Sequence, residues 1–172
     1  MKLRSSGYAL LLALGTSTVF AHGNEQHQST EVQPGRETAG AVQSIAPGAV
    51  DAVEALERFS ASLSAGDLDA ASAELDPHVL ILESGGAERT RDEYLGGHAK
   101  HDAEFLKAAQ ITLRRRVAQA SGDLVWVGSE SEIHASRDGK LLMISSTETA
   151  VLRNTAQGWK IVHLHWSSRV QK

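Results

Sequence analysis

The sequence predicts an α+β domain, with helices gathered in the first half of the chain and long antiparallel strands after them. Three observations carry that reading. Apolar residues recur every three or four positions over residues 50–63 and again over 68–75. From Ile111 onward come four long β-rich segments separated by turn-forming residues. Between the two halves, residues 90–109 read TRDEYLGGHAKHDAEFLKAA, an amphipathic helix with polar residues on its apolar side. Three N-terminal-half helices on one face of a strongly twisted antiparallel sheet would curl it into an open cone, with the helices on the concave side.

In chain order, the first stretch reads as an address. Lys2 and Arg4 make a positive start, residues 8–14 a short apolar run, and Val19-Phe20-Ala21 a small-residue cleavage site. This is the pattern of a secretory signal peptide cut after Ala21, and its apolar run is too short for stable membrane insertion. A periplasmic or secreted destination follows. The chain carries 17 basic and 21 acidic residues, and loss of Lys2 and Arg4 makes it more acidic still, which argues against nucleic acid as a partner. With no cysteine, a lipoprotein anchor, disulfides and thiolate metal sites are excluded. Residues 22–46 are rich in Gln, Glu, Ser, Thr and Gly and read as a disordered lead-in to a domain spanning 47–172.

Pro47 opens the first helix, with Val50, Val53, Leu56, Phe59 and Leu63 inward, and Gly66 stops it. Asp67 caps a short second helix, ended by Asp76-Pro77. Residues 79–83 form an apolar strand closing on a carboxylate, and Ser84-Gly85-Gly86 turns it into a brief return strand at 87–89. Thr90 and Glu93 make a capping box for the central helix. Gly96-Gly97 costs that helix roughly 1 kcal/mol per residue, so it marks a close backbone contact or a break that widens a cavity mouth. The meander of residues 111–120, 124–135, 141–153 and 159–169 completes the domain.

The polar residues on apolar faces are the functional candidates. On the central helix, Tyr94, Leu95, Phe105, Leu106 and Ala109 share one side, with His98 and Asp102 in its middle and His101 at its edge. A buried carboxylate or imidazole costs several kcal/mol unless it finds a partner, so the fold must supply partners or a wet pocket. Strict alternation along the strands places Arg115 with Ile111, Leu113 and Val117, and Glu148 with Ile144, Ala150 and Leu152. It places His163 and His165 with Trp159, Ile161 and Arg169, opposite Val162, Leu164 and Trp166, and sets Trp126 against Val125 and Val127. Bulges would shift this parity midway along bent strands.

The helical order, the stretch SGG-x-E-R-T-R-D-E-Y-L-G-G-H and the closing GWKIVHLHWSSR resemble the nuclear-transport-factor-2-like superfamily. More narrowly they resemble its SnoaL-like and ketosteroid-isomerase-like families, over residues 50–169. The W-x-I-V-H-x-H-x-S pattern is also similar to the association domain of calcium/calmodulin-dependent kinase II. The resemblance implies a cone with a pocket at its mouth and a homodimer formed through the sheet. Members include isomerases, cyclases, dehydratases, binding proteins and oligomerisation modules, so the fold does not choose among them.

Three function classes stay open at this point. The first is a small-molecule-binding domain of unassigned activity, whose partly apolar ligand meets Glu83, Tyr94, His98, Asp102, Arg115, Trp126, Glu148, His163 and His165. Arg115 would greet an anionic group, since a guanidinium fork suits a carboxylate. The second, implied by the resemblance, is a cofactor-independent isomerase or lyase-type acid–base enzyme. His98 would be its base, and Asp102, one turn away, would fix the imidazole tautomer. The third is a periplasmic copper or zinc binder. His98 and His101 stand at helical i and i+3, with Asp102, Glu83, Glu148, His163 or His165 to complete the set. Cleavage after Ala21 would also leave His22 N-terminal, its α-amine and imidazole together able to chelate copper. For each residue a structural role competes with the functional one: a buried pair tying helix to sheet, or histidines at a dimer interface.

Overall fold

The computed structural model describes residues 40–137 and 139–171, so the expected signal peptide, His22 and most of the lead-in lie outside the described residues. The elements run in the order β1 (Val42–Ile45), a 3-10 turn (Pro47–Ala49), α1 (Val50–Ala65), α2 (Leu68–Glu74), β2 (Leu75–Glu83) and β3 (Gly86–Glu88). There follow α3 (Arg91–Gly96), α4 (Ala99–Lys107), β4 (Gln110–Ser121), β5 (Leu124–Arg137), β6 (Lys140–Thr155) and β7 (Gly158–Val170). One curved, unclosed sheet of seven strands is formed in the order β1-β4-β5-β6-β7-β2-β3, with the helices on one face.

The helix periodicity forms the core directly. Ala52, Val53, Ala55, Leu56, Phe59 and Leu63 are buried on α1, which packs against α2, α4, β6 and β7. They meet Val125, Val127, Ala150, Leu152, Ile161 and Leu164 from the sheet. Val50, by contrast, is exposed at the first turn of the helix.

Several expectations are corrected. The sheet is mixed, because β2 pairs parallel with β7 and β1 pairs parallel with β4. Strand β1 falls in the stretch read as disordered, where its polar, solvent-facing composition hides a short edge strand held by backbone pairing to residues 115–118. Strand β2 begins at Leu75, through Asp76-Pro77, rather than at Val79. The central helix is two helices. Thr90 caps the first as expected, its hydroxyl accepting from Glu93 N–H at 3.1 Å, while Glu93 Oε2 accepts from Arg89 N–H at 2.7 Å. The helix then breaks at Gly97, where a Cβ would come within 3.1 Å of the Glu93 carbonyl oxygen.

Two bulges decide which residues face the helices. The β4–β5 register shifts between Leu113 and Arg115, so Leu113 pairs with Ser131 and Arg115 with Glu130. The β6–β7 register shifts between Val151 and Leu152, so Leu152 pairs with Ile161 and Val151 with His163. Each extra residue reverses the alternation beyond it. Arg115 therefore shares its face with Val117 but no longer with Ile111 and Leu113. His163 and His165 part from Ile161, which joins Leu164 and Trp166.

Candidate acid–base site

The face that carries the helices is crossed by one polar row, read through the register as Arg116, Ser129, Glu148, Trp166 and Glu83. It lies directly beside a core row of Ala118, Val127, Ala150, Leu164 and Ile81. Arg116 is 7% exposed, and buried guanidinium is stable only when its donors are used. Its Nη1 donates to Glu57 Oε1 on α1 at 2.6 Å and its Nε to Ser129 Oγ at 3.2 Å. Ser129 Oγ in turn donates to Glu148 Oε1 at 3.2 Å, and Trp166 Nε1 donates to Glu148 Oε2 at 2.9 Å. The Trp166 ring is stacked on Phe59 and tilted against Tyr94, with ring centroids 6.4 Å apart in each case. Hydrogen bonds thus run unbroken from Arg116 on β4 to the Trp166 indole on β7 and hold it in place.

At the β2–β3 end of this row the titratable groups collect. Ser84 and Gly85 both take positive φ, 48° and 87°, which is the two-residue turn that keeps a hairpin in register. Glu83 then pairs with Gly86, and Ile81 with Glu88. Paired residues share a face, so Glu88 joins Glu83 on the helix side. Glu88 is buried and accepts a hydrogen bond from His98 Nδ1. Tyr94, fully buried, donates its hydroxyl proton to Asp102 Oδ2 at 2.9 Å.

The electrostatics follow from burial and crowding. Burial, then the negative charges of Asp102 and Glu88, push the Glu83 carboxyl up to about 7, with His98 opposing them. Burial likewise raises Asp102, against the pull of the Tyr94 hydroxyl and of His98. Burial and the adjacent Asp102 carboxylate hold the Tyr94 proton on its oxygen well beyond the ordinary phenol range. For His98, burial depresses the charged form, but the Glu88 hydrogen bond and charge outweigh it and leave the imidazole above its ordinary value. The result is one carboxyl that exchanges its proton near neutral pH, flanked by two hydrogen-bonded pairs that do not share partners.

Of the residues singled out from sequence, Glu83, Tyr94, His98 and Asp102 come together, and Glu148 lies two strands away in the same row. The pairing differs from the expected one: Asp102 holds Tyr94 rather than His98, although its backbone N–H bonds to the His98 carbonyl at 3.0 Å. Glu88 takes the orienting role toward His98. Arg115, Trp126, His163 and His165 are on the opposite face of the sheet, Arg115 and the two histidines because of the bulges. Arg116, missed from sequence, is the arginine on the helix side. His101 is exposed beside Asp102. Among the described residues no three His, Asp or Glu side chains converge as a metal-ligand set, and His165 is separated from His98 and His101 by the sheet.

These features define a protein of the nuclear-transport-factor-2-like class, a curved sheet with helices across one face and polar groups at their junction. Residues 53–171 match the model of the SnoaL-like domain, and the chain belongs to that family. It is similar to a proposed ketosteroid isomerase from Shewanella frigidimarina, at 31% identity over 72% of this chain and 100% of that one, with a TM-score of 0.68. The fold is shared with the kinase II hub of S. rosetta (23% identity, 72% and 98% covered, TM-score 0.63). It is shared too with a proposed dehydratase from Streptomyces avermitilis (22% identity, 70% and 94% covered, TM-score 0.61). Among curated proteins none matches the chain.

Proposed function

We propose that this chain binds a small, partly apolar, uncharged molecule on the helix-bearing side of the sheet and moves a proton on it without a cofactor. The reaction class is that of an isomerase or a dehydratase. One observation carries the reading: Glu83, with a carboxyl titrating near neutrality, stands among two preformed pairs, His98–Glu88 and Tyr94–Asp102. A base works best when its pKa lies near the working pH, and adjacent donors stabilise the oxyanion that forms when a carbon next to a carbonyl loses its proton. Glu83 takes the base role, and His98, protonated and held through Nδ1 by Glu88, donates its Nε2–H to the oxygen. The similarity to a proposed ketosteroid isomerase supports a ketone as the substrate type. On this reading the protein is exported, with residues 1–21 as its signal, and works as a homodimer joined through the opposite face of the sheet. Among the described residues no helix is long and apolar enough to cross a membrane.

The test is solvent-deuterium exchange at the carbons beside the carbonyl of cyclic and steroid ketones, followed by NMR with the purified full chain. The expected result is exchange above the buffer rate, reduced at least ~100-fold in Glu83→Gln while the melting temperature does not fall. Exchange no faster than buffer across the ketones, or equal in Glu83→Gln, would overturn the acid–base reading.

A further inference from the structure

The face of the sheet turned away from the helices is organised in rows of its own. Two rows are largely apolar: Gln119, Trp126, Val151, His163 and Leu80, and beside it Val117, Gly128, Thr149, His165 and Leu82. The next two are charged or hydroxylic: Arg115, Glu130, Thr147 and Ser167, then Thr112, Glu132, Ser145 and Arg169. Trp126 is 46% exposed and Leu80 38%, an uncovered apolar area beside a charged one. Two shallow concavities of about 330 and 430 Å³ run along this face, one beside Trp126 and Arg115, the other between Arg114 and Arg169. A two-fold axis would lay such a surface on its own copy, apolar rows against apolar rows, and the face carries both signs of charge for that pairing, in Arg115 and Glu130.

We infer that this face is a pH-gated contact between two copies of the chain, closed while His163 and His165 are neutral and released when they are protonated. The inference rests on the homodimer reading above and adds its regulation. His163 stands between Val151 and Leu80, and His165 between Thr149 and Leu82, so a second copy would take both imidazoles out of water. His163 Nδ1 lies 2.9 Å from the Leu80 carbonyl oxygen, which can only accept, so Nδ1 carries the hydrogen and Nε2 the lone pair. A second proton would put a charge in apolar surroundings, and the two apolar rows contain no carboxylate to balance it. The charged neighbours give no relief. Arg115 and Glu130 flank these rows on one side, Arg153 and Lys160 on the other, and His78 precedes Leu80 on β2. Farther along, Glu132 is already engaged by Arg114 at 3.0 Å and by His134 at 2.6 Å, with Arg169 beyond. Under two-fold symmetry every protonation counts twice.

Sedimentation velocity of the full chain at about pH 8 and about pH 5.5, on either side of the ordinary imidazole value, is the test. The expected result is a dimer at the higher pH whose dissociation constant weakens at least tenfold at the lower, with the circular dichroism spectrum unchanged. The double variant His163→Gln/His165→Gln should stay dimeric at both. Should it fail to fold, His165→Gln alone should halve the logarithm of the pH effect. Trp126→Glu should be a folded monomer throughout. A wild-type chain that is monomeric at the higher pH would sink the dimer reading and this inference together. A dimer indifferent to pH, a histidine variant that dissociates like wild type, or a dimer that survives Trp126→Glu would overturn the inference alone.

Discussion

Arg115 and Arg116 are adjacent in the chain and sit on opposite faces of the same strand. Arg116 is buried and bound on both sides, by Glu57 from the helix layer and by Ser129 from the next strand. Arg115 is exposed, paired in register with Glu130, and its side chain makes no hydrogen bond among the described residues. The same contrast holds for Trp126 of β5 and Trp166 of β7. Trp166 is stacked, tilted and hydrogen-bonded within the helix-side layer, while Trp126 faces outward. Around Arg116 and Trp166 the fold completes the polar groups' bonds; at Arg115 and Trp126 they are left for water or another molecule. Desolvation makes the difference, since an unmade bond costs far more where water cannot replace it.

The largest effect should come from breaking the helix-side arginine. Arg116→Met strands Ser129 and loosens Glu148 and Trp166, and should lower urea-unfolding stability by about 2–3 kcal/mol. Arg115→Met should stay within about 0.5 kcal/mol, as for an exposed side chain. Equal losses for both would erase the distinction between the faces.

A smaller effect is tied to pH. The Glu83 carboxyl titrates at about 7 in the fold against 4.5 in its ordinary state. Between those values the native protein holds a proton that the unfolded chain has released, so stability falls as pH rises through the window and the full penalty is present above it. His98, raised in the fold, acts in the same direction, because its contribution is present below its ordinary value and lost as pH rises through its folded one. Glu83→Gln should therefore raise stability at pH near 8 by on the order of 1–2 kcal/mol, allowing for its partial exposure, and change little near pH 4. Thermal melts across pH decide it.

The smallest effect separates the two hydrogen-bonded pairs. Tyr94→Phe removes the donor to Asp102 and should cost about 1 kcal/mol. The Asp102 carboxyl should titrate higher still, because the hydroxyl was lowering it. Its side-chain carbonyl resonance followed by NMR across pH is the measurement, and an unmoved titration would mean that the pair is not formed in solution.

Local chemistry accounts for what was legible in the chain. The 3.6-residue period buries Val53, Leu56, Phe59 and Leu63, Thr90 caps its helix, and Ser84-Gly85 makes its turn, because each depends on residues within a few positions. The presence of His98 and Asp102 beside Tyr94 was likewise readable from one helical wheel. Glu88 was within reach of the same reasoning: a two-residue turn opposes residue 81 to residue 88, and that places it beside Glu83.

By itself, then, the sequence determined the class of fold, the helices and turns, and most of the residues that meet at the acid–base site. Only the tertiary structure decided which partner each took and which face each strand residue serves. Nothing local says that Asp102 bonds Tyr94 while His98 bonds Glu88, that β2 lies parallel to β7, or that bulges reverse the alternation in β4 and β7. One extra residue in a strand exchanges its two faces, and its position depends on how neighbouring strands bend over a shared core.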